Sequence, residues 1–542
     1  MTRKLGKKWV TRIMLLAFFI LHSSFFISCS LEEDPKDQRS EEEIYTDAQA
    51  VYKNAVLMLY SYVGGSEDGQ GLQGTCRGVY DLNTFASDEA LIPRRGVDWY
   101  DGGMWQQLYY HTWGDGHEII KNSWYYLYKV VAQCNRSLYL IDKYSYLLSQ
   151  AERVWYEAEV RAIRAIYYWY LMDFFGRVPI VTSTQVSMNS VVQSERSEVF
   201  EFVRSELEYS MKYLSSDNST HTGSVYGRVT APVVYFVLAK LYLNAEVYAD
   251  DDWTDGMRPD GSQMAFNIYG MTMNAWEACE FYCELISQLR YELSEDYSDN
   301  FAVYNENGKE NIWIIPMDRV LYSNQQQNIM RSIHWRHAAA YGFKGSNGTS
   351  ASLTALDTYH YGEEDQDPRF VKNYYSGEVF GPNSMKVADR NGNVLTYYPR
   401  EVMPDMKGSP YLETAGARMR KYEIDQNASG GGKLPNNDIV LFRYADVLLM
   451  RAEAMVRNGE DGSQYFDQVR NRAYSSMYNE ASHRDCTLDN LYDERLLELA
   501  WEGWRRNDMV RYGKYSPIHT SVFPIPANAL ALNKKLEQNK GY

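Results

Sequence analysis

Apolar residues recur at helical spacing along most of the chain, and most strictly in DIVLFRYADVLLMRAEAMVR, residues 438–457. There Leu441, Tyr444, Ala445, Leu448, Leu449, Ala452 and Val456 follow i, i+3, i+4, i+7, i+8 spacing, which predicts a helix with a wide buried stripe. Arg443, Asp446, Arg451 and Glu453 fall outside the stripe, and Arg443 and Asp446 are spaced for a local ion pair. The alanines allow a second helix to approach closely, and an apolar helix of this length needs a helical partner. The expected partner is LYDERLLELAWEGWRRNDMVRYGK, residues 491–514, capped by Thr487. Its apolar stripe is Leu488, Leu491, Tyr492, Leu496, Leu499 and Ala500.

The same periodicity predicts helices over residues 40–64, 122–140, 150–175, 197–214, 229–248 and 274–290. The first has a capping box in Ser40 and Glu43, and Gly176 and Pro179 end the third. Between them lie two irregular stretches, residues 80–113 and 318–349, rich in aromatic and polar residues. Residues 310–316 read as a strand, and residues 376–407 as turns and short strands. Glycine-bearing loops are expected at 64–78 and 427–437.

The net charge of −16 and the absence of a basic block beyond the N-terminus exclude nucleic-acid binding through phosphate neutralisation. Five basic residues followed by the short apolar run 13–21 read as a secretory signal, because the run falls short of the roughly 20 residues that span a bilayer. The six cysteines are scattered. Cys279 and Cys283 stand i, i+4 on an expected helix with no second ligand pair at zinc spacing, so they read as packed thiols. The acidic run Asp250, Asp251, Asp252, Trp253, Thr254, Asp255, Gly256 departs from an EF-hand at Trp253 and reads as a solvated loop, leaving a structural calcium as the only cofactor in view. His334 and His337 lack a carboxylate at ligand spacing. Arg161, Arg164 and Asp173 on an apolar helix read as packing and ion-pair residues.

Glu494, Glu498 and Glu502 fall at i, i+4, i+8, a spacing that suits paired carboxylates in glycoside hydrolysis. Their neighbours Arg495, Arg505 and Arg506 would keep them ionised, whereas a general acid needs a raised pKa. No G-x-S-x-G, HExxH, Walker or dinucleotide motif is present, and the chain is expected not to be an enzyme.

RYADVLLMRAEA (443–454), ERLLELAWEGWRRNDMVRYGK (494–514) and the C-terminal PIP and LNKKLEQNKGY, within 524–542, together resemble the hallmarks of the SusD/RagB family. Residues 310–316 resemble its ENIW-type strand, and DPR at 367–369 and GARMRKY at 416–422 resemble further motifs of it. The resemblance implies a mainly α, SusD-like fold of tetratricopeptide-type helical hairpins with irregular, loop-rich ligand-binding insertions and a few short strands. It implies a signal peptide over 1–28 and, from the small residue before Cys29, cleavage there and lipidation of the Cys29 thiol. An acidic tether would follow over 29–40, then a single domain over 41–542, with an N-terminal part to about residue 230 and a C-terminal part from 231. The implied function is an outer-membrane, surface-exposed lipoprotein that binds oligosaccharide or polysaccharide and delivers it to a SusC-like TonB-dependent transporter. The alternative is a structural lid of the transporter with peptide or other non-glycan cargo.

Aromatic faces stack on sugar rings while nearby polar side chains bond the hydroxyls. That chemistry selects Asp98, Trp99 and Tyr100 in the first irregular stretch, and Tyr322, Trp335 and Tyr341 in the second, as candidate ligand-binding residues.

Overall fold

Ser149 and Glu152 close a capping box at the start of the 26-residue helix Gln150–Phe175, with the bounds the sequence predicts. The structure, a computed structural model, describes residues 41–187, 190–475 and 482–542. The expected signal peptide, Cys29, the acidic tether and Ser40 lie outside the described residues. Glu41–Ile44 is a short helix, and residues 47–542 form one compact unit.

Within that unit the helices stack in chain order. Gln150–Phe175 packs against Glu118–Lys143 and Arg196–Ser210, and Ala275–Ser287 packs against Ala231–Leu243 and Tyr444–Arg457. The last of these also contacts Ser463–Tyr474 and Leu488–Leu499. Ala445, Ala452 and Ala454 are fully buried at these contacts, as small residues must be where helix axes come close. Cys279 and Cys283 are buried in Ala275–Ser287. No helix of the described residues is long and apolar enough to cross a membrane.

The structure corrects the sequence reading at three elements. Residues 438–457 are not one helix: Ile439–Arg443 is a strand, antiparallel to Asn311–Ile315, and the helix begins at Tyr444. Both strands are buried along their whole length, so the apolar run IVLF serves a pairing that no helical periodicity reveals. Residues 491–514 are also split. Thr487 caps Leu488–Leu499 through Asn490 N–H as expected, but the chain then turns through Trp501 (φ 68°) and Gly503 (φ 75°) before Arg505–Arg511. Trp501 is driven into the core, where its Nε1–H donates to Asn373 O at 3.1 Å. Finally, the helix expected over 40–64 is broken. Asp47 caps Ala48–Val51, which continues as a π turn, Tyr52–Val56, and a 3-10 segment, Leu57–Tyr62. These irregular turns aim Tyr52 and Tyr60 at the buried Glu159 carboxylate, at 3.1 and 2.5 Å.

The split at Trp501 also rearranges the charges. Glu502 leaves the helix that carries Glu494 and Glu498, and the expected partners Arg495, Arg505 and Arg506 go instead to Asp446 and Asp508, Asp88, and Asp173. The three glutamates are buried against other cations. Arg369 and Arg470 hold Glu494, both at 2.6 Å. Arg443 reaches Glu310 at 2.8 Å, Glu498 at 2.5 Å and Glu502 at 2.8 Å. Arg472 pairs with Glu310 and Glu498, and Lys421 with Glu502. Burial alone would raise the Glu498 carboxyl, but Arg472, Arg443 and Arg369 outweigh it and hold the group well below the usual carboxylate range. The expected local pair of Arg443 with Asp446 does not form; Asp446 serves Lys240 and Arg495. Arg161 and Arg164 bind Glu206, and Asp173 binds Arg506, which makes all three structural as expected.

Candidate functional site

The two irregular aromatic stretches, more than two hundred residues apart in sequence, meet through a two-residue antiparallel ladder, Ala90 opposite Ala351 and Leu91 opposite Ser350. The base of the first loop is fixed just before that ladder. Asp88 is held by Arg505 at 2.6 Å, and Glu89 O accepts from Ser352 N–H at 3.1 Å. The Glu89 side chain is fully buried, with one oxygen accepting from Trp501 N–H at 2.5 Å and the other without a partner. Burial pushes its carboxyl up to about 7, against the opposing pull of the Trp501 N–H. The folded chain therefore keeps a proton that an unfolded glutamate releases near pH 4.5, and this contribution to stability is lost as pH rises through about 7. Glu89→Gln has no such loss. Its stability relative to the parent chain is expected to improve by up to about 3 kcal/mol between pH 4.5 and pH 7.5. Urea unfolding at the two pH values measures it, and a pH-independent difference would refute the assignment.

Above this base the loop turns back sharply. Arg95 N–H donates to Asp98 O and Asp98 N–H to Arg95 O, at 2.9 and 3.1 Å, with Gly96 at φ 71° supplying the left-handed position the turn requires. The buried Arg95 guanidinium anchors the turn by donating to Leu412 O, Ser350 Oγ and Ala415 O at 2.8–3.0 Å. Behind it, Arg418 donates to Ser350 Oγ and, at 2.9 Å, to Asn347 Oδ1. Burial lowers both guanidinium pKa values, Arg418 to about 10.

This frame opens a cleft of about 200 Å³ lined by Asp98, Trp335, Asn347, Arg390 and Glu413 beside the 95–97 turn. Trp335 is half-buried. His334 lies 4.0 Å from its ring, and the Arg390 guanidinium 5.5 Å from it. Arg390 also pairs with Glu413 at 2.7 Å, and His334 Nε2 is 3.6 Å from the same carboxylate. An indole flanked by a carboxylate, a guanidinium and an amide can stack on an apolar ring face and bond the polar groups around it.

The other candidates are dispersed. Trp99 is half-buried at φ 57°, its Nε1–H donates to Ser346 O at 2.8 Å, and its ring packs on Gly348, where a Cβ would come within 2.6 Å of it. It joins the two loops at the rim of the cleft. Tyr100 is exposed, with the Arg94 guanidinium 4.5 Å from its ring. Trp105 and Trp113 are buried and donate to Asp101 Oδ2 and Tyr542 OH. Tyr341 lines a separate, larger cleft together with Tyr375 and Arg420. Tyr322 is exposed on a loop held by Asp318 and borders neither cleft. Sequence reasoning missed Arg390 and Glu413, which come from segments without helical periodicity and reach the cleft only by tertiary packing.

Family models cover most of the chain. Residues 84–243 match one described as starch-binding associating with outer membrane, and residues 284–517 match one described as the SusD family. The chain belongs to the SusD/RagB family. Starch-binding protein SusD of Bacteroides thetaiotaomicron is 26% identical over 99% of both chains. Among solved structures, a laminarin binding SusD-like protein superposes with a TM-score of 0.67 at 19% identity, covering 92% of this chain and all of that one. Surface glycan-binding protein A from Bacteroides thetaiotaomicron, solved with laminarihexaose, also gives a TM-score of 0.67 at 19% identity, over 91% of this chain and all of that one. These likenesses establish for the present SusD/RagB member the mainly α, SusD-type fold expected from the sequence.

Proposed function

We propose that this SusD/RagB chain is a surface glycan-binding lipoprotein, tethered to the outer membrane through Cys29, which captures oligosaccharide and passes it to a SusC-like TonB-dependent transporter. It binds without chemistry. The observation that carries the reading is the cleft in which the Trp335 indole stands among Asp98, Asn347, Arg390 and Glu413. Supporting it, relatives over nearly the whole chain are described as starch-binding, laminarin binding or glycan-binding proteins. Glu494, Glu498 and Glu502, which have the spacing of a hydrolytic carboxylate set, are buried in ion pairs with arginines, which suits a binder and not a hydrolase. Trp99 serves as the rim that joins the two loops, and Tyr100 as an outlying platform. A shallow site gives weak affinity per contact, which repeated glycan units and transporter docking raise through effective concentration.

The test is affinity electrophoresis of the folded chain through gels cast with single polysaccharides, among them starch and laminarin. Retardation by at least one is expected, without release of sugar products. If no polysaccharide retards the chain, the glycan reading fails in favour of a transporter lid with other cargo; released products would make it a hydrolase.

A further inference from the structure

The larger cleft on the other side of Tyr397 has an independent chemistry. It is formed by two adjoining hollows of about 600 and 420 Å³ that share Tyr341, Val371, Tyr375 and Arg420. Tyr375 is fixed by a strand pair in which Tyr374 and Tyr375 lie opposite Met419 and Arg418, and Arg420 N–H continues it by donating to Asn373 O at 2.9 Å. The Arg420 guanidinium lies 5.3 Å from the Tyr375 ring centre. Arg420 is exposed, and among the described residues its side chain makes no ion pair or hydrogen bond. An arginine laid on an aromatic ring with its donors unused is set for a planar anion, which it binds bidentately.

The cleft lining is of mixed charge, with Lys372, Arg420 and Lys421 beside Asp299, Glu378 and Glu423, in a chain that as a whole carries −16. Trp335, at the start of helix Trp335–Ala340, lines the smaller cleft and Tyr341, just past its end, the larger. The helix carries Arg336; Arg95, Arg390, Arg418 and Arg420 act on its His334 and His337, and Arg418 lies over Tyr397. The carboxylates that face the region are mostly engaged. Glu413 is taken by Arg390, Glu378 by Lys386 at 2.9 Å, and Glu423 accepts from Val303 N–H at 2.9 Å; Asp299 lines the larger hollow and is exposed. His337, whose ring lies 4.8 Å from that of Tyr375, is pushed down to about 4 by burial first and then by Arg418 and Arg420, against a backbone hydrogen bond to Phe380. Trp335 and Tyr341 are six residues apart, about 9 Å along the helix axis.

We propose that the Tyr341–Tyr375–Arg420 cleft is a second sugar-binding subsite, selective for a ring that carries an anionic group, a uronate carboxylate or a sulfate ester. The Tyr341 ring stacks on the sugar, and Arg420, laid on the Tyr375 ring, takes the anion. The proposal rests on the glycan-binding reading, and the experiment separates the two. Binding of the full chain is measured by calorimetry against polygalacturonate oligosaccharides, their methyl-esterified form, dextran sulfate and dextran. Polygalacturonate is expected to bind more tightly than its ester if the group is a carboxylate, and dextran sulfate more tightly than dextran if it is a sulfate. Arg420→Gln, a surface change, is expected to weaken binding of the favoured anionic glycan about ten- to a hundredfold, to reduce its salt dependence, and to leave neutral glycans and the unfolding midpoint unchanged. Equal binding of charged and neutral forms, or an Arg420→Gln variant that binds the anionic glycan like the parent chain, would overturn the subsite while leaving the Trp335 site intact. No binding to these probes or to the polysaccharide panel would overturn both.

Discussion

Arg443→Met is expected to abolish folding or leave a chain destabilised by at least about 3–5 kcal/mol. Methionine fills much the same volume, so packing is nearly conserved and the charge is the variable. Arg443 is 1% exposed and touches three carboxylates, those of Glu310, Glu498 and Glu502, besides Glu498 O. Removing it leaves buried anions whose remaining cations, Arg369, Arg472 and Lys421, are already shared with other groups. Breaking one side of a buried network costs more than the network contributes, because the remaining charges stay desolvated without compensation. Arg443 also stands at the junction of strand Ile439–Arg443 and helix Tyr444–Arg457, so the loss propagates to both. The yield of soluble chain and its urea midpoint give the measurement. A midpoint within about 1 kcal/mol of the parent chain would show that the network is dispensable. Arg443→Lys is expected to recover only part of the loss, since an ammonium lacks the planar fork that spans three carboxylates.

Trp335→Ala is expected to lower glycan affinity about 30- to 100-fold, corresponding to roughly 2–3 kcal/mol for an aromatic platform that buries its face on a ligand. At a shallow site this takes retardation below detection. Trp335 is half-buried at the start of a six-residue helix, so its truncation is expected to leave the thermal midpoint within a few degrees. Trp99→Ala gives the contrasting result. That ring packs on Gly348 and bonds Ser346 O, which ties the two loops together. Its loss is expected to cost about 3 kcal/mol of stability as well as binding. Affinity electrophoresis beside thermal unfolding distinguishes the two variants. If Trp335→Ala binds as the parent chain does, the site has been assigned to the wrong cleft.

The helical stack was legible because period and caps are local. Residues 150–175 carry a capping box at one end and Gly176 at the other, and nothing distant needs to be known to place them. The apolar face of Tyr444–Arg457 and its alanines were equally plain, and motifs near 443–454 and 494–514 carried the family resemblance. The strand Ile439–Arg443 was hidden because a short apolar run satisfies either period, and only Asn311–Ile315 beside it decides between them. The break at Trp501 was hidden for the converse reason: its cost in backbone strain is repaid by contacts with Glu89 and Asn373, more than a hundred residues away.

The amino-acid order by itself determined most of the long helices, that two aromatic, polar stretches interrupt them, and that the glutamates of the C-terminal motifs stand among arginines that keep them ionised. Tertiary structure alone decided which arginine meets which glutamate, since buried ions choose partners by proximity after packing. It also decided that Asp98 and Trp335 share a cleft while Tyr341 belongs to another. A ladder of two residue pairs, Ala90 with Ala351 and Leu91 with Ser350, brings the two loops together. A contact so short leaves no period in the sequence, because its stability comes from the buried Arg95 and Arg418 around it and not from the strands themselves.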